Sequence, residues 1–209
     1  MRFANREEAA HKLASALKHH EKSGAVVLAV PRGGVPVGAI VARVLQLPLD
    51  IILAKKIGHP SNSEYAIGAV TLHGIHYERN VEDVDESYIR EETQRLQKEL
   101  ARRQDLFTGG KAPVEVKGRT VILVDDGIAT GSTLIAAIMG LRQSGAGRIV
   151  VAVPVAPIQA GATFRKLADE YVCLHESSSF SGVGQFYDDF SEVSDSEVSE
   201  LLRQADNPS

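Results

Sequence analysis

Apolar residues recur along this chain at two spacings, and the spacing changes from segment to segment. Ala9, Ala10, Leu13 and Leu17 fall on one face of a helix. Asn5 is placed to cap that helix, and Glu8 three residues on completes a capping box. After Gly24 the run from Ala25 to Val30 is short, apolar and rich in β-branched residues, the pattern of a strand buried on both faces. Prolines and glycines stop it between Pro31 and Pro36. Val37 to Leu47 then predicts a helix ended before Pro48, and Leu49 to Ala54 a second strand, followed directly by Lys55 and Lys56. Ile57 to Asn80 is weakly patterned, apart from a short hairpin around Gly74.

The second half alternates more regularly. Val84 to Phe107 predicts a long, highly charged helix with Ile89, Leu96, Leu100 and Phe107 on one apolar stripe. Three strands follow, at Thr120 to Val124, Arg148 to Val153 and Glu170 to Leu174, separated by helices at Thr133 to Gln143 and Gln159 to Leu167. Ser177 to Ser194 is polar and aromatic without a period, and Ser194 with Glu197 opens a last helix carrying Val198, Leu201 and Leu202. Strand–helix–strand alternation predicts an α/β protein with a mostly parallel five-stranded sheet flanked by helices. The chain reads as one domain over residues 1–209. Residues 57–110 form a flexible loop plus the charged helix, and residues 175–194 a small hood.

Composition narrows the function classes. Twenty-three Lys and Arg against 27 Asp and Glu give a net charge of −4. That balance argues against a nucleic-acid or anionic-membrane binder, which needs clustered positive charge. The single cysteine, Cys173, excludes an internal disulfide framework and suits a reducing compartment. The first residues lack the apolar core of a signal peptide, so a cytoplasmic globular protein is expected. The seven histidines show no metal-ligand spacing.

The chemistry concentrates in VILVDDGIATGST, Val121 to Thr133. An apolar strand ends in two adjacent carboxylates, and a Gly, Thr and Ser turn then opens a helix. Backbone N–H groups and hydroxyls of Thr130, Gly131, Ser132 and Thr133 can converge on an anion at that helix N-terminus. Asp125 and Asp126 beside it cannot bind phosphate themselves. They can accept hydrogen bonds from a ribose diol, or support a metal directly or through water. A sugar phosphorylated at one end satisfies both halves. The segment resembles the 5-phosphoribosyl-1-pyrophosphate (PRPP) motif of type I phosphoribosyltransferases. That resemblance implies that Asp125 and Asp126 meet the ribose hydroxyls, that Ala129 to Thr133 cradle the 5-phosphate, and that Mg²⁺ accompanies the donor.

Other segments fit the same family. AVPRGGVP, Ala29 to Pro36, falls where the family places its pyrophosphate loop, and Gly33 and Gly34 let backbone N–H groups approach a diphosphate. Arg32 adds charge, and a non-proline cis peptide is expected at Arg32–Gly33. AKKIGHPSNSEY, Ala54 to Tyr65, resembles the adenine and orotate branches, in which lysine precedes a mobile catalytic loop. By that resemblance Lys55 or Lys56 reaches the pyrophosphate, and Glu64 is a candidate acid or base. The family's 6-oxopurine enzymes carry an acid just before the Thr-Gly of the motif, where this chain has Ala129, while PRGG resembles the xanthine–guanine branch. The acceptor therefore stays open. Phe180, Val183, Phe186 and Tyr187 would face it from the hood, with Phe190 nearby; the rings alternatively form a satellite core under the loop. The family resemblance also suggests a homodimer. The expected activity is phosphoribosyl transfer to a nitrogen nucleophile. The alternatives are a non-catalytic PRPP sensor using the same pocket and, less well supported, a pyrophosphokinase.

Overall fold

The computed structural model describes residues 1–77 and 84–206; the side chains of Ser63 and Glu64 also lie outside the described set. Helix α1 (Arg6–Ala16) starts as its sequence predicts. Asn5 Oδ1 accepts the Glu8 N–H at 3.0 Å, and the Glu8 carboxylate accepts the N–H of Ala4, one residue before the cap, at 2.6 Å. Strand β1 (Val26–Ala29) leads into α2 (Gly34–Leu45), which begins inside the proline-glycine segment rather than after it. Pro36 sits in the first turn of α2, where a helix tolerates proline because those N–H groups have no intrahelical acceptor. Strand β2 (Leu49–Ile51) follows.

The next segment corrects the expected loop. Residues 54–77 form a second sheet, antiparallel, of β3 (Ala54–His59), β4 (Asn62–Thr71) and β5 (Ile75–Tyr77), in the order β3-β4-β5. The predicted hairpin at Gly74 is its last turn, held by Thr71 Oγ1 accepting from the Gly74 N–H at 2.9 Å. Lys55 and Lys56 therefore lie within β3, not at the end of β2. The end of the expected loop, residues 78–80, lies outside the described residues.

The remaining elements are α3 (Glu86–Thr108), β6 (Thr120–Val124), α4 (Ser132–Gln143), β7 (Arg148–Pro157), α5 (Ile158–Leu167), β8 (Glu170–Ser177) and α6 (Asp195–Asp206). β7 runs past the predicted Val153 despite Pro154, because the parallel register pairs Val153 with Cys173 and Val155 with His175 and passes over the proline. The main sheet is parallel throughout, in the order β2-β1-β6-β7-β8.

Period-two alternation sorts its residues onto two faces. Val27, Ala29, Ile122, Val124, Val150 and Ala152 pack under α1 and α2 with Leu13, Leu17, Val41 and Leu45. Val26, Leu28, Val121, Leu123, Ile149 and Val151 pack under α4 and α5 with Leu134, Ile138, Leu141 and Phe164. With both faces covered, the strands read as continuous apolar runs, which is what made them legible.

Strand order also positions the site. From β1 the chain passes through α2 to β2 on one side. From β6 it passes through α4 to β7 on the other. The carboxyl ends of neighbouring β1 and β6 thus open the crevice where such sheets bind ligands.

Candidate functional site

Two turns face each other across that crevice. Strand β1 stays paired with β6 to its end, where the Val30 N–H donates to Val124 O at 2.8 Å. The chain then turns through a non-proline cis peptide at Pro31–Arg32, one bond earlier than expected. Gly33 and Gly34 lie directly on the acidic strand end. A Cβ on Gly33 would fall 2.0 Å from Asp126 Oδ2, and one on Gly34 would fall 2.9 Å from the Asp125 Cα and the Val124 carbonyl. Only residues without a side chain allow this approach. The N-termini of α2 and α4 both follow these turns, so two positive helix ends serve one crevice.

Opposite, Gly131 enters α4 at φ +78°, and a Cβ there would meet the Phe164 ring at 2.9 Å. Ala129, Thr130, Ser132 and Thr133 lie at the surface beside it, with the Thr130 and Ser132 hydroxyls 3.2 Å apart. The hydroxyl-bearing turn therefore opens to solvent at the start of α4, where the Ser132 N–H donates to Thr130 Oγ1 at 3.4 Å.

The carboxylates are strained electrostatically. Asp125 Oδ1 accepts the Asp126 N–H at 2.8 Å. Burial and the neighbouring Asp126 charge hold the Asp125 carboxyl well above the usual carboxylate range. Burial also raises Asp126, against the opposing pull of Arg6. Arg6 was not visible as a site residue in the sequence. Its Nε donates to Asp126 Oδ2 at 2.9 Å, its Nη2 lies at the same distance, and its Nη1 donates to Ser191 O at 2.8 Å. Its guanidinium lies 3.9 Å from the centre of the Phe190 ring. A lone arginine opening a charged helix looks like any solvated side chain, so no sequence signal marked it.

The cations distribute unevenly. Lys55 and Lys56 line a cleft of about 430 Å³ together with Pro31, Ser132, Thr133 and Arg103 of α3. Lys55 also pairs with Glu99 of α3. Arg103 is a second residue the sequence reading missed. Arg32 is directed elsewhere: its guanidinium pairs with Glu192 and lies 3.6 Å from Asp195. Within the loop, the Gly34 N–H donates to Val30 O at 3.0 Å and the Val35 N–H to Arg32 O at 3.1 Å. Glu64 falls within β4, and its side chain lies outside the described residues.

The hood divides. Phe186 and Tyr187 are buried with Phe3, Ala9 and Val155, so they form a satellite core and present no open ring face for a base to stack on. Tyr187 has a second task, donating its hydroxyl to the Asp126 carbonyl at 2.7 Å. Phe180 is partly buried with its ring centre 5.3 Å from that of Phe186. Val183 reaches the acidic turn itself: a Cβ on Gly127 would meet it at 2.6 Å. Of the four hood residues, only Phe180 and Val183 are partly exposed. Cys173 is half-buried, and burial pushes its thiol up, the opposite of a reactive cysteine.

A parallel sheet with paired acids and two glycine-bearing turns at its switch point defines an α/β protein with its crevice at the carboxyl ends of the strands. Comparison with known proteins makes this specific. The model of the phosphoribosyl transferase domain matches residues 3–191, and the chain belongs to that family. Its α/β fold is that of the type I phosphoribosyltransferases, as the acidic motif implied. It is 39% identical over 210 residues to a protein of Mycobacterium tuberculosis that carries a provisional phosphoribosyl transferase name, covering 97% of this chain and 47% of that protein. The chain thus spans about half the length of those relatives. The crystal structure of TT1426 from Thermus thermophilus superposes with a TM-score of 0.89 at 39% identity, covering 97% of this chain and 98% of that one. Among the described residues, no helix is long and apolar enough to cross a membrane.

Proposed function

We propose that this chain transfers a 5-phosphoribosyl group from PRPP to a nitrogen nucleophile and releases pyrophosphate. The observation that carries the reading is the seating of Gly33 and Gly34 on Asp126 and Asp125. It brings a loop bare of side chains against paired carboxylates, which leaves room for a ligand that is diphosphate at one carbon and diol at the next two.

In this reading Asp125 and Asp126 accept hydrogen bonds from the ribose hydroxyls and fix the ring. The bond from C1 to the pyrophosphate oxygen breaks, and the bond from C1 to the acceptor nitrogen forms. The two carboxylates stabilise the positive charge that develops on the ring as the leaving group departs. The 5-phosphate rests on the turn from Ala129 to Thr133, at the positive end of α4. The pyrophosphate lies against the Gly33–Gly34 loop, with the Gly33 amide as its backbone donor and Lys55, Lys56 and Arg103 across the cleft. The donor set fits Mg²⁺: two oxygen ligands whose proton affinity is raised by burial and crowding gain from a nearby hard cation. Asp125 and Asp126 would hold it, directly or through water; when bound it supplies neutralisation of leaving-group charge.

The acceptor presents a nitrogen beside Phe180 and Val183. Ala129, where 6-oxopurine enzymes carry an acid, favours an acceptor other than hypoxanthine or guanine. A cytoplasmic homodimer is part of the proposal. One observation favours a second reading, a PRPP sensor: Arg6 already satisfies Asp126, so donor binding would change how the N-terminal helix is held. Pyrophosphate release, followed with PRPP and Mg²⁺ against a panel of nucleobases and simpler amines, separates the two. Release with one acceptor supports transfer. PRPP binding with no release from any acceptor supports the sensor.

A further inference from the structure

The opposite end of the sheet carries a cluster that the transferase reading does not use. His19 and His20 lie in the 3-10 turn Lys18–His20 that follows α1, and Glu170 is the first residue of β8, some 150 positions away. His19 Nε2 lies 2.8 Å from Glu170 Oε1, and His20 Nε2 lies 3.1 Å from Oε2. The two rings are tilted against each other with centres 4.2 Å apart. All three ligand atoms lie within 4.8 Å of one another. His20 is 8% exposed, while His19 opens to solvent.

We propose that His19, His20 and Glu170 form a divalent transition-metal site of the zinc type. Zn²⁺ binds imidazole nitrogen and carboxylate oxygen at about 2.0–2.2 Å, so ligand atoms around a tetrahedral ion stand roughly 3.3–3.5 Å apart. The 2.8 Å between His19 Nε2 and Glu170 Oε1 need only widen by a few tenths of an ångström, while His20 Nε2, now 3.1 Å from Oε2, swings towards Oε1 as the three ligand atoms, already within 4.8 Å of one another, close on the ion. Binding replaces the imidazole–carboxylate hydrogen bonds with coordination: each Nε2 gives its lone pair to the metal, and its ring proton resides on Nδ1.

Arg148 defines the limits of the site. Its Nη2 donates to Glu170 Oε2 at 3.0 Å, so Oε1 is the oxygen left for the ion. The guanidinium then orients the carboxylate without touching the metal, while its charge repels the ion somewhat. Two imidazoles and one carboxylate oxygen leave a fourth position for water. That set suits Zn²⁺, Co²⁺ or Ni²⁺ and not Mg²⁺, which demands oxygen ligands. The metal would fasten the C-terminal end of α1 to the edge strand β8. The other end of the same helix carries Arg6, so the clasp would steady the helix that holds Asp126. The inference stands whether or not the chain transfers phosphoribose.

Calorimetric titration of the chelator-treated chain with ZnCl₂ tests it. One Zn²⁺ per chain is expected, with affinity falling at least tenfold in His19→Ala and in Glu170→Gln. His19 is exposed, so His19→Ala keeps the test valid should Glu170→Gln unfold. Uptake unchanged in Asp125→Asn places the ion away from the acidic turn. Co²⁺ added instead should give visible bands of a four-coordinate ion, absent from the His19→Ala spectrum. No uptake by the natural sequence, or uptake undiminished in His19→Ala, overturns the site.

Discussion

Replacing Gly33 by alanine tests the contact on which the candidate site is built. The added methyl would begin 2.0 Å from Asp126 Oδ2 and 2.7 Å from its Cγ, where ordinary contact starts at 3.4 Å. Something must therefore move by about 1.4 Å. The carboxylate is not free to yield, because Arg6 grips it from two nitrogens at 2.9 Å and Tyr187 holds the Asp126 carbonyl at 2.7 Å.

Either the ion pair opens or the loop lifts away. Overpacking of a fitted site costs about 1–3 kcal/mol. Parting a nearly buried pair costs on the order of the same, less than deleting one partner, which reaches roughly 3–5 kcal/mol. A loss of about 2 kcal/mol is expected, and with a urea slope near 3 kcal/mol/M for a chain of this size the midpoint falls by roughly 0.7 M. A displacement of this size at the reacting centre should lower turnover by about 10²-fold. The assays are urea denaturation followed by circular dichroism, and pyrophosphate release. Gly182→Ala is the control, since a Cβ there meets nothing within 4 Å. Gly33→Ala with unchanged midpoint and unchanged turnover would refute the contact.

Other consequences follow from the same geometry. Asp125→Asn should stabilise the fold at neutral pH while abolishing PRPP binding. The Asp125 carboxyl is raised in the folded state, so its ionisation penalises folding above its folded pKa, and the penalty fades as pH falls through that pKa towards the unfolded value. The stability gap between variant and natural sequence should therefore close from pH 7.5 towards pH 4, read by urea midpoints across that range. Arg6→Gln should destabilise by about 2–4 kcal/mol, because it leaves Asp126 buried without its partner. That loss should shrink at acid pH as Asp126 protonates, and Arg6→Lys should restore part of it; a loss independent of pH would contradict the pairing. Phe164→Ala removes a ring that is 1% exposed and lies behind the Gly131 turn. It should cost about 3–5 kcal/mol by thermal or urea unfolding.

The sequence disclosed the main sheet because strands covered on both faces are uninterrupted apolar runs, and the acidic turn because its residues are contiguous. It hid the antiparallel sheet for a physical reason. β4 carries Ala66, Gly68 and Ala69 against close neighbours, and a Cβ on Gly68 would strike the His76 carbonyl at 2.5 Å. Likewise α4 approaches β4 through Gly140, whose Cβ would meet Thr71 at 2.5 Å. Small residues at tight contacts erase the alternation that announces a strand. Lys55 and Lys56 were legible as candidates but not as members of β3. Arg6 and Arg103 reach the crevice through α1 and α3, and only the tertiary fold brings them there. The histidine–glutamate cluster was illegible for the same reason, since its members stand 150 residues apart.

The central claim is that the turns after β1 and β6 form one PRPP site. Calorimetric titration of the chain with PRPP and Mg²⁺, repeated on the Asp125→Asn, Asp126→Asn double variant, tests it most directly. The account predicts one PRPP bound per natural chain and no measurable heat of binding from the variant, with circular dichroism showing both folded. PRPP binding of undiminished affinity in the variant would contradict it.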